Sequence, residues 1–395
     1  MRVLWVSRFV PFPMNAGDRV YSARLAAATA EAGAEVTVLG IADEAPPAAM
    51  TAVRNLRWEG VNCAQRGTVP ALLRPLPLVT ERASPAPIVA AFRRLLDKLA
   101  PQVVVVDNYA AGWVMPLLAA RRPAPALVYI AHNFEEKLAA DIARGFSGSS
   151  ARKIALLLNA LKIRRLERAL VKRADLVVAL TERDRDELLA RNPDKQSLVL
   201  PPGFTGSRAA QRAIDATVPR RVVMLGSVRW IAKQINVGEF LEAADAKFHA
   251  VGIAFDIIGD VAEEFRASWT PRLKATRFLG FVDNVADELA RSRLGLVIEA
   301  VGGGFKLKIL DYLFARVPVA ALAGSFEGVP QAARNQIAIA PTAAALTETV
   351  IRLIDDFDAL NGMQNACFDA VNGRFEWDLD GCQLAAALAA LPAAR

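Results

Sequence analysis

Residues 294–315 read Leu-Gly-Leu-Val-Ile-Glu-Ala-Val-Gly-Gly-Gly-Phe-Lys-Leu-Lys-Ile-Leu-Asp-Tyr-Leu-Phe-Ala. A short apolar run leads into three consecutive glycines, and apolar residues then recur at helical spacing. This order predicts a buried strand over 294–300 and a helix over 305–315. Glycines let the backbone approach a ligand, and a helix N-terminus offers unbonded amides and partial positive charge. The stretch therefore predicts a strand–loop–helix unit that holds an anion, such as a phosphate.

Charged side chains at the start of this helix favour the same interpretation. Lys306 and Lys308 fall in the predicted first turn, where the helix dipole disfavours cations by roughly 0.3–1 kcal/mol. A bound anion would remove that conflict. Asp311, about one turn further along, would suit the hydroxyls of a ribose as an acceptor. The alternatives are a flexible glycine turn with surface lysines, and an exposed Asp311 paired with Lys308.

The same alternation of strands and helices extends through the whole chain. Apolar runs are found at 2–7, 36–41, 103–107, 126–132, 176–180, 197–200, 221–227, 254–260, 277–281, 294–300, 317–322 and 337–341. Helical patterns lie between them, for example at 21–32, 87–99 and 237–249. Continuous apolar strands are typical of a parallel sheet buried on both faces, which predicts doubly wound, Rossmann-like α/β domains.

A break in the pattern around residues 202–220 is interpreted as a linker between two domains of similar size. Ligands of such domains bind at the carboxyl ends of the strands. We therefore expect a ligand in the cleft between the two domains.

The composition is that of a folded globular protein without a disulfide framework. The 395 residues are 53% hydrophobic and 23% charged, and no apolar run is long enough for a membrane span. The N-terminus does not resemble a signal peptide. Three scattered cysteines and two histidines give no metal-binding pattern, and they fit a reducing cytoplasm. The net charge of +7 leaves nucleic acid, an anionic membrane and acidic substrates open.

Other candidate residues follow strands of each domain. Arg229 and Lys233 follow the first strand of the second domain, where cations could meet a diphosphate; a solvated loop is the alternative. His132 ends a strand of the first domain, with Asn133 and Glu135 beside it. It is a candidate for the reaction centre or a structural histidine.

The loop after the first strand contains Gly17 but lacks the Gly-x-Gly-x-x-Gly pattern of dinucleotide-binding domains. This argues against a nicotinamide or flavin cofactor.

Residues 152–173 form the strongest charge feature, a predicted basic amphipathic helix. Its basic face comprises Arg164, Arg168 and Lys172, and its apolar face comprises Ile163, Leu166 and Leu170. Such a helix either lies on anionic lipid or forms the solvated outer layer of the domain. Aromatic residues are not interleaved with the basic ones, so binding of single-stranded nucleic acid is not expected.

These motifs together resemble the GT-B glycosyltransferases, specifically the large retaining family 4. The resemblance rests on an ordered set of segments along nearly the whole chain. They are Ala16-Gly17, His132-Asn133 with Glu135, residues 168–181, Pro201-Pro202-Gly203, Gly280-Phe281-Val282-Asp283, Gly302-x-Gly304-x-Lys306-x-Lys308-x-x-Asp311, and Glu327-Gly328.

The resemblance implies a domain arrangement of three parts. An acceptor-binding Rossmann-like domain spans 1–205 and a nucleotide-sugar-binding one spans 206–375. A C-terminal helix over 376–395 crosses back onto the first domain.

The resemblance also implies transfer of a hexose from a nucleotide diphosphate sugar, with retention and without a metal or other cofactor. Acceptors of this family are polysaccharides, lipid-linked sugars or other glycans, which implies cell-envelope synthesis in the cytoplasm or on the inner face of the membrane. The implied catalytic residues are His132, Lys306 and Arg229. The implied donor contacts are Gly302, Gly303, Gly304, Phe305, Lys306, Lys308, Asp311 and Lys233, and the implied acceptor-side residues are Gly17, Asn133 and Glu135.

Two positions depart from the family pattern. Gly303 stands where the family often has Glu, and Asp311 stands where it usually has Glu. Two alternatives therefore stay open: a non-catalytic GT-B protein that binds a sugar nucleotide or a partner, and a sugar-nucleotide epimerase.

Overall fold

A computed structural model describes residues 1–146, 148–299 and 305–392. The chain divides into two compact units. The described part of unit 1 comprises 1–203 without 147, residue 305 and 376–392, and that of unit 2 comprises 204–299 and 306–375. The three glycines at 302–304 lie outside the described residues.

Unit 1 is built on a parallel seven-stranded sheet in the order β3-β2-β1-β4-β5-β6-β7. The strands are β1 (Arg2–Phe9), β2 (Glu35–Ile41), β3 (Leu56–Val61), β4 (Val103–Asp107), β5 (Ala126–Ala131), β6 (Leu176–Ala179) and β7 (Ser197–Val199). The helices are α1 (Gly17–Glu31), α2 (Ala48–Thr51), α3 (Thr68–Leu72), α4 (Leu78–Arg82), α5 (Ala86–Leu99), α6 (Met115–Ala119), α7 (Glu135–Gly145), α8 (Ser150–Arg173) and α9 (Glu182–Leu189), with a 3-10 turn at Tyr109–Val114.

Both faces of this sheet are buried, as the continuous apolar strands predict. Alternate residues of β1 enter different cores: Trp5 packs with α1 on one face, and Leu4 packs with α5 on the other. The core on the α1 side also receives the last helix of the chain, which covers Trp377–Ala389. Gly381 of that helix meets Ala28 of α1 so closely that a Cβ there would lie 2.4 Å from a backbone carbon.

Unit 2 is a parallel six-stranded sheet in the order β10-β9-β8-β11-β12-β13. Its strands are β8 (Arg221–Leu225), β9 (Ala254–Ile258), β10 (Thr276–Gly280), β11 (Leu294–Val297), β12 (Val319–Leu322) and β13 (Ala338–Ala340). Its helices are α10 (Ile231–Ala250), α11 (Glu263–Trp269), α12 (Val285–Ala290), α13 (Lys308–Phe314), α14 (Gln331–Arg334), α15 (Ala343–Leu353) and α16 (Phe357–Val371), with a 3-10 turn at Thr270–Arg272. The helix of the C-terminal segment, Trp377–Ala389, is α17.

In both sheets the central strands β1 and β8 are flanked on one side by the next strand in sequence and on the other by a later one. The strand order therefore reverses beside β1 and beside β8. In open parallel sheets this is where a crevice forms at the carboxyl ends of the strands. The two doubly wound α/β domains predicted from the sequence are confirmed.

Candidate functional site

A glycine follows the carboxyl end of β8, and another follows that of the neighbouring strand β9. Gly226 follows β8 with a φ of +123°, and Gly259 follows β9 with a φ of +132°. A Cβ on Gly259 would lie 2.6 Å from the carbonyl oxygen of Gly226, so a larger side chain cannot fit there. The two turns therefore pack backbone against backbone.

Two lysine ammonium groups converge on this turn. Lys233 lies in the first turn of α10, and Lys308 is the first residue of α13. A Cβ placed on Gly226 would be 3.8 Å from Nζ of Lys233 and 4.0 Å from Nζ of Lys308. Burial, together with the charge of Lys308, lowers the pKa of Lys233. Like charges held this close favour an anion between or beside them.

Glu299, just beyond β11, is the carboxylate that meets these lysines. It is 2% exposed, and its Oε1 accepts a hydrogen bond from Nζ of Lys308. Burial alone would raise the pKa of Glu299, but Lys308, Lys233 and Lys306 outweigh burial and hold that pKa below its usual value. Its Oε2 has no hydrogen-bond partner within the described ranges. One carboxylate thus faces three cations, and this end of unit 2 keeps a positive local charge.

Asp311 lies one turn after Lys308 on α13 and is half-buried. Burial raises the pKa of Asp311 to about 6. The pairing with Lys308 that one alternative invoked is wrong, since Lys308 bonds to Glu299 instead. The Asp311 carboxyl group is left available to accept hydrogen bonds from a ligand.

The helix that follows the glycines is shorter than the sequence predicts. It begins at Lys308 and not at Phe305, so Lys306 precedes the helix. The prediction that both lysines occupy the first turn was therefore wrong for Lys306. Phe305 is half-buried and packs against the core of unit 1 that contains α1.

Arg229 lies near the carboxyl end of β8, and its side chain is 65% exposed. Its Nη1 lies 2.8 Å from Oδ2 of Asp260. In this structure the guanidinium group is thus held by a carboxylate.

In unit 1 a buried histidine–aspartate pair stands where β4 and β5 end. Nε2 of His132 lies 2.6 Å from Oδ1 of Asp107, and Oδ2 of Asp107 accepts a 2.8 Å hydrogen bond from the indole of Trp5. Burial would lower the pKa of His132, but the Asp107 carboxylate outweighs burial and raises that pKa. The ring of Tyr21 meets the imidazole edge-on at 5.4 Å. His132 is therefore a fixed imidazole that binds a proton readily.

Glu135 belongs to a second buried acidic group beside this pair. Its Oε1 accepts hydrogen bonds from Nδ2 of Asn133 at 2.9 Å and from Nδ2 of Asn108 at 3.4 Å. Glu167 of α8 accepts from the backbone amides of residues 135 and 136 and from the hydroxyl of Tyr129. Burial and the nearby Glu135 raise the pKa of Glu167 to about 8. The structure thus brings His132, Asn133 and Glu135 together at one strand end.

Gly17, the remaining acceptor-side candidate, is the first residue of α1 in unit 1. It follows β1, whose carboxyl end lies beside that of β4 in the sheet.

Two family models match consecutive parts of the chain. The model described as "Glycosyl transferase 4-like domain" matches residues 16–203, and the model described as "Glycosyl transferases group 1" matches residues 219–356. Together these matches cover well over half of the chain. The chain belongs to the group 1 glycosyltransferases. The family resemblance stated from the sequence motifs is confirmed.

Solved structures of glycosyltransferases share the fold of this one over almost its full length. Sucrose-phosphate synthase from Thermosynechococcus elongatus aligns with a TM-score of 0.70 and 16% identity, covering 98% of each chain. WaaG, a glycosyltransferase involved in lipopolysaccharide biosynthesis, aligns with a TM-score of 0.67 and 16% identity. The alignment covers 99% of this chain and 100% of WaaG. HepE from Anabaena, in complex with UDP and glucose, aligns with a TM-score of 0.65 and 15% identity. The alignment covers 99% of this chain and 100% of HepE. A search of curated proteins finds no matching sequence.

Two buried carboxylates of this glycosyltransferase were not singled out from the sequence. Asp107 is the last residue of β4, and Glu299 follows β11. Each is an acid at the carboxyl end of an otherwise apolar run, which is the signal that could have identified it.

The predicted basic face of α8 is partly neutralised. Nε of Arg168 lies 2.7 Å from Oε2 of Glu136, and Nε of Arg164 lies 3.5 Å from Oε1 of the same residue. Lys172 is exposed, and the apolar side of the helix is buried as predicted. The face is therefore not a continuous row of unpaired cations.

Within the described ranges, no group of three or more His, Cys, Asp or Glu side chains is arranged to hold a metal ion. None of the helices formed by those residues is long and apolar enough to cross a membrane.

Proposed function

We propose that this glycosyltransferase moves a hexose from a nucleotide diphosphate sugar to a glycan or lipid-linked acceptor, with retention of configuration at the anomeric carbon. The observation that carries the proposal is the convergence of Lys233 and Lys308 on Gly226, beside a Glu299 carboxylate that also feels the charge of Lys306, with Asp311 one turn further along α13. The complex of the structural neighbour HepE with UDP and glucose supports the same class of donor.

The proposed mechanism is electrostatic. As the glycosidic bond breaks, negative charge builds on the leaving diphosphate, and lysines already in place stabilise it without having to reorganise. A diphosphate would compete with Glu299 for the proton donors of Lys308, and would recruit Lys306 and Lys233. Because the three lysines would share the negative charge of the diphosphate, the reaction would proceed without a metal ion.

The other candidate residues take roles on either side of the reacting bond. Asp311 would accept hydrogen bonds from the ribose hydroxyls. His132 would contact the transferred sugar, and Arg229 would leave Asp260 to meet the diphosphate. Gly302, Gly303 and Gly304 remain candidates for backbone contacts to the phosphates, with Phe305 beside them.

The acceptor is proposed to bind unit 1 near Gly17, Asn133 and Glu135. The structural neighbour WaaG is involved in lipopolysaccharide biosynthesis, which favours a cell-envelope glycan. A cytoplasmic protein that contacts the anionic inner face of the membrane through residues 152–173 would meet a lipid-linked acceptor there.

Glu299 favours one second candidate, a protein that binds sugar nucleotides without turning them over. Its carboxylate neutralises Lys308 and so reduces the attraction between this end of unit 2 and a diphosphate. An epimerase is not favoured by a specific feature of the described residues.

Incubation with UDP-, GDP-, ADP- and TDP-sugars, followed by NMR of the released sugar, tests the proposal. Slow release of an unaltered sugar with the anomeric configuration of the donor supports retaining transfer, with water as the acceptor. Release of an altered sugar supports an epimerase, and binding without turnover supports the second candidate. Asp311→Asn should raise KM for the donor, whereas Glu348→Gln, which alters an exposed side chain on α15, should not.

A further inference from the structure

The outer face of α8 exposes apolar side chains along its N-terminal half. Ile154, Leu157, Leu158 and Leu161 are 58%, 42%, 55% and 53% exposed. At 100° per residue they fall within an arc of about 100° on the helix. The buried residues of α8, such as Ile163 and Leu170, lie on the opposite side.

A second exposed segment lies next to this arc. Nζ of Lys162 donates hydrogen bonds to the carbonyl oxygens of Leu72 at 2.7 Å and Arg74 at 2.6 Å. These bonds tie the end of α3 to α8 one turn from Leu158. Leu73 and Val69 of that segment are 85% and 70% exposed. We call the six side chains the apolar patch: Val69, Leu73, Ile154, Leu157, Leu158 and Leu161.

Exposed cations of α8 lie beside the apolar patch, and α8 has no exposed carboxylate. Arg165 continues the arc one turn beyond Leu161, and Lys153 precedes Ile154. Both are exposed. Glu167 is the single acidic residue of α8, and it is buried on the other side of the helix.

From this arrangement we infer that the apolar patch inserts into an anionic lipid leaflet, with Lys153 and Arg165 at the level of the headgroups. A helix whose exposed aliphatic side chains are flanked by basic residues suits the boundary between acyl chains and anionic headgroups. The patch has no aromatic residue, although the cores of protein interfaces are enriched in them. The exposed charges that α8 itself places beside the patch, Lys153 and Arg165, are both cations, which favours an anionic surface.

The inference deepens the proposed function, on which it rests for the idea that the acceptor is lipid-linked. It narrows the proposed contact through residues 152–173 to the apolar arc in the N-terminal half of α8 and adds the neighbouring segment at the end of α3. Arg164 and Arg168 are held by Glu136, so the apolar patch and the cations beside it would make the closest contact with lipid.

Flotation of the full chain with vesicles of phosphatidylcholine and phosphatidylglycerol, mixed at a ratio of about 3:1, tests the inference. The test variant is Leu158→Gln with Leu161→Gln. The matched control is Leu379→Gln with Ile339→Gln, because those side chains are similarly exposed at 55% and 47% but lie outside the patch. The test variant should lower the partition coefficient by at least about tenfold, whereas the control should leave it unchanged. Vesicles of phosphatidylcholine alone should bind the wild type more weakly.

The inference is overturned if the wild type does not float with anionic vesicles, or if test and control variants bind equally. It is also overturned if the wild type is a dimer in light scattering and the test variant is a monomer, because the patch would then be a protein interface. Donor hydrolysis in the absence of vesicles reports on the proposed function separately. A variant that has lost vesicle binding should hydrolyse the donor at the wild-type rate, and a chain that hydrolyses no donor can still float.

Discussion

Replacing Asp107 by Asn tests whether His132 is held as a ready proton acceptor. The substitution keeps an oxygen that can accept the indole N–H of Trp5, and it removes the negative charge 2.6 Å from Nε2 of His132. The imidazole remains buried, and burial without the carboxylate lowers its pKa. We therefore expect the pKa of His132 to change from above its usual value to below it.

The effect on stability has a definite sign. Because the pKa of His132 is raised in the folded protein, the stabilising contribution is present at pH values below the pKa of the unfolded chain. It is lost as the pH rises through the folded pKa. A hydrogen bond between charged partners contributes about 1.5–3 kcal/mol. Asp107→Asn should therefore lower the free energy of unfolding by about that amount at pH 5.5, and by less at pH 9.

Two measurements check this expectation. The chain has two histidines, so His249→Gln leaves a single imidazole whose proton uptake can be followed by NMR. Urea unfolding at pH 5.5 and 9 gives the stability difference. Asp97→Asn is the control, because that carboxylate is 70% exposed and pairs with Arg121 at the surface. It should change the free energy of unfolding by less than about 0.5 kcal/mol at either pH.

A His132 that titrates identically with and without the Asp107 carboxylate would refute this expectation. It would equally be refuted if Asp107→Asn cost more stability at pH 9 than at pH 5.5.

Three further perturbations probe other parts of the structure. Glu299→Gln removes the carboxylate that balances Lys308 and should lower the free energy of unfolding by about 3 kcal/mol. In thermal melts, UDP should raise the melting temperature of the variant more than that of the wild type. An equal rise in melting temperature for both proteins would contradict this expectation. Glu167 has a raised pKa of about 8, so its stabilising contribution falls as the pH rises from about 4.5 through about 8. Relative to Glu167→Gln, the wild type should therefore lose stability between pH 6 and 9 in urea melts. Parallel curves of stability against pH for the two proteins would argue against this role. Gly381→Val places a side chain against the backbone of Ala28 and should destabilise unit 1 by about 1–3 kcal/mol or more, whereas Gly362→Ala, with open space around it, should not.

Most strands could be predicted because their apolar runs are continuous. The strand at Leu56–Val61 was missed. It lies at the edge of its sheet, and Arg57, Glu59 and Gly60 interrupt its apolar character. An edge strand is covered on one side only, so its sequence need not be apolar throughout.

The partners of the candidate site residues could not be predicted. The sequence shows that His132 and Lys308 lie at strand and helix ends, and these positions follow from local periodicity. Which acid meets each of them does not follow from that periodicity. Asp107 reaches His132 because β4 and β5 are neighbours in register. Glu299 and Lys308 are nine residues apart, and local periodicity does not show that their side chains meet.

The central claim is that unit 2 binds a nucleoside diphosphate through its converging lysines. Isothermal titration of UDP, GDP, ADP and TDP into the wild type, Lys233→Met and Lys247→Met tests it most directly. Lys247 is a matched control, because it lies on the same helix, α10, and pairs with Glu348 at the surface. The account predicts that at least one of the four binds the wild type, that Lys233→Met weakens it at least about tenfold, and that Lys247→Met leaves it unchanged. Absence of binding by all four nucleotides, or equal affinity for Lys233→Met and wild type, would contradict the account.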